Sequence, residues 1–118
     1  MDSLYEDILK LALIDDKEGQ IEHWKQNNRN YYYRGTITDI MVRDNRSQNG
    51  TVVIARVEFD HINQGNFRKL EDILIKNSAK QIIIESVLTE EMKNVAIHMG
   101  YELENDYPYC LNYVKEIC

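Results

Sequence analysis

The chain has 118 residues, and its 20 acidic residues against 14 basic ones give a formal net charge of −6. This length suits one compact domain with one core, and the acidic balance argues against a protein whose main task is binding a nucleic-acid backbone. No apolar run approaches the roughly 20 residues that span a bilayer, and the first residues lack the basic and apolar regions of a signal peptide. We therefore expect a cytoplasmic domain with neither a membrane nor a nucleic acid as partner.

The residue types that bind metals are too scattered to predict a metal site. Cys110 and Cys118 lie near the C-terminal end, with no CxxC motif and no paired histidines to complete a ligand set. The loop over residues 44–50 lacks the ordered acidic positions and the closing Glu of a calcium-binding loop. We interpret both cysteines as reduced thiols and expect no metal.

The first 30 residues are predicted to be helical. A second short helix, over residues 17–26, would place Ile21 and Trp24 on one face. The polar run over residues 26–30 would end it. The first helix is predicted from apolar residues at helical spacing, namely Leu4, Ile8, Leu11 and Ile14.

Two strands follow in the sequence. Residues 31–42 are rich in aromatic and β-branched types, which predicts one strand that is kinked or bulged near Gly35. The loop over residues 44–50 closes with Asn-Gly, a strong hairpin signal, so residues 51–59 should return antiparallel. The tyrosines at 31–33 have two interpretations, packing on a half-buried strand or lining a substrate groove.

The middle of the chain predicts a helix between two strands. Three isoleucines at 82–84, within a strand over residues 81–87, indicate burial on both faces of the sheet. This strand should run parallel to the strand at 51–59, because a helical crossover joins them. The helix has an apolar stripe and a polar face, the stripe being Phe67, Leu70, Ile73 and Leu74, and the polar face Lys69, Glu71, Asp72 and Lys76.

A second helix and a closing strand complete the pattern. Thr89 is predicted to cap the helix and Gly100 to end it. The tail over residues 109–117 alternates well enough to form a final strand. The inner face of the helix should carry Met92, Val95, Ala96 and Met99.

This order of elements resembles the GNAT superfamily of acyl-CoA-dependent N-acetyltransferases. The resemblance covers roughly residues 31–117. It implies a single α/β domain over residues 1–118, with a mixed central sheet flanked by helices behind a helical segment at 1–30. Residues 96–102 are similar to the end of the family's last helix. The turn similar to the family's pyrophosphate-binding turn consists of Gln64, Gly65, Asn66, Phe67 and Arg68.

The resemblance also implies where acetyl-CoA, the co-substrate, would bind. It would lie between the strand ending at Phe59 and the strand starting near Ile82, with the pantetheine arm on backbone groups around Glu58 and Phe59. Glu58 and Glu85 are the candidate general bases, although solvent-facing glutamates are an equally valid interpretation. His98 is the candidate acid, because Ala96 stands where the family often has a tyrosine.

The sequence leaves functions of different classes open. The first is an N-acyltransferase that moves an acetyl group from acetyl-CoA to an unidentified amine, on a small molecule or on a protein. The second is a catalytically inactive GNAT-like domain that acts through protein contacts, which the missing tyrosine and the single glycine of the turn favour. The third, an acidic nucleic-acid mimic of a phage or mobile element, is less favoured because Lys and Arg are interspersed among the acids.

Overall fold

The structure, a computed structural model, describes residues 3–16, 20–58, 64–87, 89–104 and 111–117. Within these segments, the strands are β1 (Glu22–Gln26), β2 (Asn30–Arg34), β3 (Asp39–Asn45), β4 (Thr51–Glu58), β5 (Gln81–Ile84), β6 (Glu102–Leu103) and β7 (Tyr113–Glu116). The helices are α1 (Ser3–Asp15), α2 (Arg46–Asn49), α3 (Gln64–Lys76) and α4 (Glu90–His98). None of the described helices is long and apolar enough to cross a membrane.

The strands form one mixed sheet in the order β1-β2-β3-β4-β5-β7-β6. The first four strands pair antiparallel in chain order, and β5 pairs parallel to β4 across the helix α3. The strand β7 then inserts antiparallel between β5 and β6. The predicted α/β class and the predicted parallel pair are therefore confirmed.

The first helix largely follows its sequence pattern. Leu4, Ile8 and Leu11 are buried, and they belong to the same core as α3 and the sheet. Ile14 is 60% exposed, so its placement on the inner face was wrong. The helix ends at Asp15. At about 100° per residue, Ile14 lies about 120° from Ile8 around the helix axis, away from the buried face, which still includes Ala12.

The predicted second helix is wrong over the described part of residues 17–26, which contains the edge strand β1 instead. All five residues of β1 are exposed, so no helical face is buried there. Trp24 stacks on Tyr32 of the neighbouring strand, with ring centroids 4.9 Å apart and planes 11° apart. A cross-strand aromatic pair of this kind stabilises a hairpin and outweighs a weak helical pattern.

The predicted strand over residues 31–42 is two strands, β2 and β3, rather than one kinked strand. The turn between them closes when Gly35 N–H donates to Thr38 O at 2.8 Å. A Cβ on residue 35 would overlap the side-chain ends of Asp16 and Ile21, so any other residue here requires these side chains to move. The next loop also differs from expectation, because α2 occupies it before Gly50 turns the chain into β4 at φ 75°.

The tyrosines of β2 divide between the two faces of the sheet. Tyr31 and Tyr33 are fully buried, and their hydroxyls donate to Asp44 Oδ2 and Tyr5 O, both at 2.9 Å. Tyr32 points to the other face, where it is partly buried against Trp24. Packing is therefore the interpretation that holds for Tyr31 and Tyr33.

The crossover helix α3 keeps its predicted stripe but not its predicted polar face. Phe67, Leu70 and Leu74 are fully buried. Glu71, expected to face water, is only 6% exposed, and its Oε2 accepts from Lys115 Nζ of β7 at 3.1 Å. That partner is 44 residues away along the chain, and its charge is what makes burial of the carboxylate tolerable.

Burial alternates along β2, β5 and the first part of β3, so the core lies against one face of these strands. Ile82 and Ile84 are buried in the same cluster as residues of α1, α3 and α4. Ile83, on the opposite face, is only partly buried. The expectation that all three isoleucines are buried on both faces was therefore wrong.

The last helix is the best-predicted element. Thr89 Oγ1 accepts from Met92 N at 3.1 Å, and Gly100 ends the helix at φ 90°. The four inner-face residues are buried as predicted, namely Met92, Val95, Ala96 and Met99. Within the described residues 111–117 of the predicted tail strand, Tyr113–Glu116 form β7, while Cys110 and Cys118 lie outside the described residues.

Candidate functional site

The strand β4 pairs with β5 along its first half, and the two strands separate along its second half. The parallel register runs from Thr51↔Gln81 to Ile54↔Ile84, and Glu85 N–H donates the last bond to Ile54 O at 3.0 Å. Beyond it lies a cavity of about 380 Å³, lined by residues 54–58, residues 84–87, and Thr89 and Met92 of the α4 start. This cleft is our candidate site.

An extra residue in β4 bends the first wall of the cleft. Met41 of β3 is opposite Arg56, whereas the next residue, Val42, is opposite Ile54. Ala55 therefore has no partner in the register, which is a β-bulge. A bulge bends its strand and increases the local twist.

A second extra residue bends the other wall. Continuing the register Ile84↔Tyr113 would place Ser86 opposite Leu111, but it is Val87 N–H that donates to Leu111 O, at 2.8 Å. Ser86 adopts the left-handed conformation, with φ 54°, and its N–H donates to Asn112 Oδ1 at 2.9 Å. Each wall thus gains one residue directly after the last parallel pair, and the two strands separate there.

Where β4 and β5 separate, one edge of β4 is left without a neighbouring strand among the described residues. Residues 56–58 pair with β3 on one side, and on the other side β5 has turned away. Backbone N–H and C=O groups on such an edge need partners and readily bond an extended ligand. The family resemblance implies a pantetheine arm on the backbone around Glu58 and Phe59, of which Phe59 lies outside the described residues.

Two predicted catalytic residues, Glu58 and Glu85, line this one cleft. Glu85 Oε2 accepts from Arg43 Nη1 at 3.3 Å, so one of its oxygens is occupied. Glu58 is exposed, and opposite it in β3 lies Asp39, whose carboxylate accepts from Arg56 Nη1 at 3.3 Å. Among the described residues, Glu58 is the carboxylate of the cleft without an ion-pair partner.

His98 is not brought into the cleft. It is exposed in the last turn of α4, whereas this helix contributes Thr89 and Met92 from its first turn. The six residues from Met92 to His98 correspond to about 9 Å along a helix axis. Ala96, in the slot where the family often has a tyrosine, is fully buried.

The five residues predicted to form a pyrophosphate turn lie in the first turns of α3, not before it. The first four N–H groups of a helix have no intrahelical acceptor, and this first turn contains no acidic residue. Gly65 and Arg68 are exposed and Asn66 is partly buried. The ring of Phe67 is buried edge-on against Tyr101, with centroids 5.9 Å apart, so Phe67 offers a ligand only its backbone.

Three contributors to the cleft were missed from the sequence, namely Ala55, Arg43 and Asn112. Ala55 is an extra residue only relative to β3, and no local pattern marks it. Arg43 reaches Glu85 across 42 residues of chain. Asn112 directly precedes β7, and nothing in the loop sequence predicts that its side chain accepts from Ser86 N–H.

Among the described residues, no group of three His, Cys, Asp or Glu side chains is placed to hold a metal.

No protein-family model matches this chain, and no curated protein matches its sequence. Solved structures do match its fold. An acetyltransferase from Thermus thermophilus superposes with a TM-score of 0.60 at 10% identity, over 77% of this chain and 66% of that one. The chain thus spans slightly less than two thirds of the length of that protein.

Two further structures match over nearly the whole chain. The PaiA N-acetyltransferase from Thermoplasma acidophilum, solved in complex with coenzyme A, has a TM-score of 0.55 at 11% identity, over 95% of this chain and 70% of that one. A GNAT-family acetyltransferase from Listeria monocytogenes has a TM-score of 0.51 at 10% identity, over 96% of this chain and 89% of that one. The chain therefore has the GNAT fold, in a form divergent in sequence.

Proposed function

We propose that this protein is an acyl-CoA-dependent N-acyltransferase that transfers an acetyl group from acetyl-CoA to an amine. The observation that carries the proposal is the parting of β4 from β5 directly after the pair Ile54↔Ile84. It opens a cleft beside an unpaired strand edge and leaves two glutamates on its walls. The GNAT fold supports the same assignment, and the complex of its Thermoplasma neighbour with coenzyme A indicates the ligand class.

Acetyl-CoA would contact two parts of the chain. Its pantetheine arm would bond the open edge of residues 55–58, and its pyrophosphate would meet the N–H groups of residues 64–67 at the start of α3. Gly65 would allow close approach, and Arg68 would add a positive charge. Six peptide steps separate Glu58 from Gln64, so the helix start lies within about 20 Å of that glutamate.

The reaction asks little of the side chains. The amine nitrogen attacks the thioester carbonyl, a C–N bond forms, a backbone N–H stabilises the oxyanion, and the C–S bond then breaks. Glu58 takes the proton that the amine loses. The departing thiolate takes a proton from water, because a thiol with a pKa of about 8.5 is a competent leaving group without a side-chain acid.

Glu58 is the better candidate base because Glu85 is already paired. The Arg43 guanidinium contacts Oε2 of Glu85 at 3.3 Å, so this carboxylate is already engaged in an ion pair. The carboxylate of Glu58 is exposed beside the open edge of β4. We assign a structural role to Glu85 and its partner Arg43: they shape the side of the cleft that receives the amine and balance its charge.

The test compares Glu58→Gln with Glu22→Gln, an exposed glutamate of the distant edge strand β1. Single-turnover acetyl transfer to a panel of small amines and lysine peptides is measured, together with acetyl-CoA binding by calorimetry. We expect Glu58→Gln to slow transfer by about 100-fold or more. Affinity should be unchanged, since the carboxylate faces the acceptor, and Glu22→Gln should behave like the unmodified chain. Equal rates for the two variants would remove Glu58 from the mechanism.

One observation favours a second function, a GNAT-fold domain that binds without catalysis. The helix position that often carries the family's tyrosine is the buried Ala96, and His98 lies outside the cleft. The same experiment separates the two functions. Acetyl-CoA binding without transfer to any amine of the panel would support the binding domain, and transfer to any of them would exclude it.

A further inference from the structure

Asn112 joins three segments at the open end of the cleft. Its Oδ1 accepts from Ser86 N at 2.9 Å, on the segment that follows β5. Its backbone oxygen accepts from Glu104 N at 2.7 Å, on the segment that follows β6. Its own position is directly before Tyr113, where β7 begins. One residue therefore ties the second wall of the cleft to both neighbouring strand ends.

The bond to Ser86 N–H holds an uncommon backbone conformation. Ser86 has φ 54°, in the left-handed region that residues with a side chain rarely adopt. Such conformations persist where the surroundings impose them. Here the extra residue moves Ser86 N–H out of register with Leu111 O, and the Asn112 amide oxygen supplies the acceptor that the strand pairing does not.

We propose that Asn112 is a positioning residue of the acyl-CoA cleft, which keeps the cleft open by holding Ser86 in its left-handed conformation. This inference rests on the proposed function for its ligand. It adds that a side chain outside the cleft-lining set controls the distance between the walls, through a single hydrogen bond. Without that bond, residues 85–87 are free to relax towards the regular ladder with β7, and the wall that faces residues 55–58 moves.

The test uses Asn112→Leu, which has a similar size and no acceptor, and Asn112→Asp, which keeps an acceptor oxygen. The matched control is Asn49→Leu, because Asn49 Oδ1 also accepts a backbone N–H, that of Thr51 at 3.1 Å, at the far end of β4. Acetyl-CoA affinity is measured by calorimetry and the melting temperature by scanning. We expect Asn112→Leu to bind about tenfold or more weakly, Asn112→Asp to retain most of the affinity, and Asn49→Leu to lower only the melting temperature.

A suppressor variant separates positioning from general stability. Glycine adopts φ 54° without strain. In a Ser86→Gly chain, the hydrogen bond to Asn112 should therefore be less important for keeping this backbone conformation. The loss of affinity caused by Asn112→Leu should therefore be several-fold smaller in the Ser86→Gly background than in the unmodified chain. An equal loss in both backgrounds, or an equal loss in Asn49→Leu, would overturn the proposal.

Amide hydrogen exchange tests the bond independently of any ligand. In Asn112→Leu the Ser86 amide should exchange about tenfold faster, while the Ile83 amide within β5 is unchanged. If the unmodified chain fails to bind acetyl-CoA, the proposed function fails. The positioning role of Asn112 is then decided by exchange alone. Faster exchange at Ser86 confined to Asn112→Leu supports it, and unchanged exchange overturns it.

Discussion

The two ends of the β4–β5 pair are built from the same two strands and have opposite properties. At the closed end, residues 51–54 pair in register with residues 81–84, and their inward side chains lie in the core. At the open end, residues 55–58 and 85–87 separate around a cleft with two glutamates on its walls. Packing is concentrated at one end and ligand-accessible backbone at the other, a division that suits a rigid scaffold with a site at its edge.

A left-handed residue adjoins β4 at the closed end, another lies in the wall of the open end, and the residue types differ. The closed end uses Gly50, at φ 75°, whose carbonyl accepts from Lys80 N at 2.7 Å. The open end uses Ser86, at φ 54°, whose N–H donates to the Asn112 side chain. Gly50 adopts this conformation without strain directly before β4, whereas Ser86 is a strained residue at the site, where such conformations commonly cluster.

The largest expected effect is on the free energy of unfolding, and it comes from the difference in core packing between the two ends of the β4–β5 pair. Ile82→Ala removes a fully buried side chain at the closed end and should lower the free energy of unfolding by about 2–5 kcal/mol. Val57→Ala, at a partly buried position of the open end, should cost about 1 kcal/mol. Urea unfolding of both variants checks this. Similar losses would mean that the open end is packed as firmly as the closed end.

The next largest effect on stability comes from changing the two left-handed residues, Gly50 to alanine and Ser86 to glycine. Gly50→Ala forces a Cβ into the left-handed region, 2.9 Å from Lys80 Cβ, and should cost about 1–3 kcal/mol. Ser86→Gly relieves the same strain and should raise stability by up to about 1 kcal/mol. Thermal unfolding of the pair gives opposite signs if the comparison holds. A loss of stability in Ser86→Gly would contradict it.

The smallest effect concerns two aspartates of β3, one at each end. Burial raises the pKa of Asp44 at the closed end, but hydrogen bonds from Arg46 and Tyr31 outweigh it and hold that pKa below its usual value. A carboxyl whose pKa is depressed by folding stabilises the protein above its unfolded pKa, and this stability is lost as the pH falls through the folded value. Asp44→Asn should therefore cost about 1–2 kcal/mol at pH 7.

The difference between Asp44→Asn and the unmodified chain should shrink as the pH falls below about 4. The control at the open end is Asp39→Asn, whose ion pair with Arg56 is more exposed and should matter by less than about 0.5 kcal/mol at any pH. Urea unfolding between pH 7 and pH 3 measures both. A pH-independent difference for Asp44→Asn would show that the hydrogen bonds, and not the charge, carry the effect.

The elements predicted correctly are those with strong local patterns. Residues close together in the sequence specify the apolar stripe of α3, and they also specify the cap, inner face and terminal glycine of α4. The parallel pairing of β4 with β5 follows because a helical crossover joins them. The elements predicted wrongly depend on distant partners. β1 forms because Trp24 stacks on Tyr32, and Glu71 is buried because Lys115 reaches it.

The sequence by itself determined the α/β class, the order of the central elements and the presence of glutamates at the ends of two adjacent strands. Only the tertiary structure decided that those ends part. Ala55 and Ser86 are extra residues solely with respect to β3 and β7, and the Asn112 amide meets Ser86 N–H only when β7 lies beside β5. A register is a relation between two strands, and no pattern within one strand specifies it.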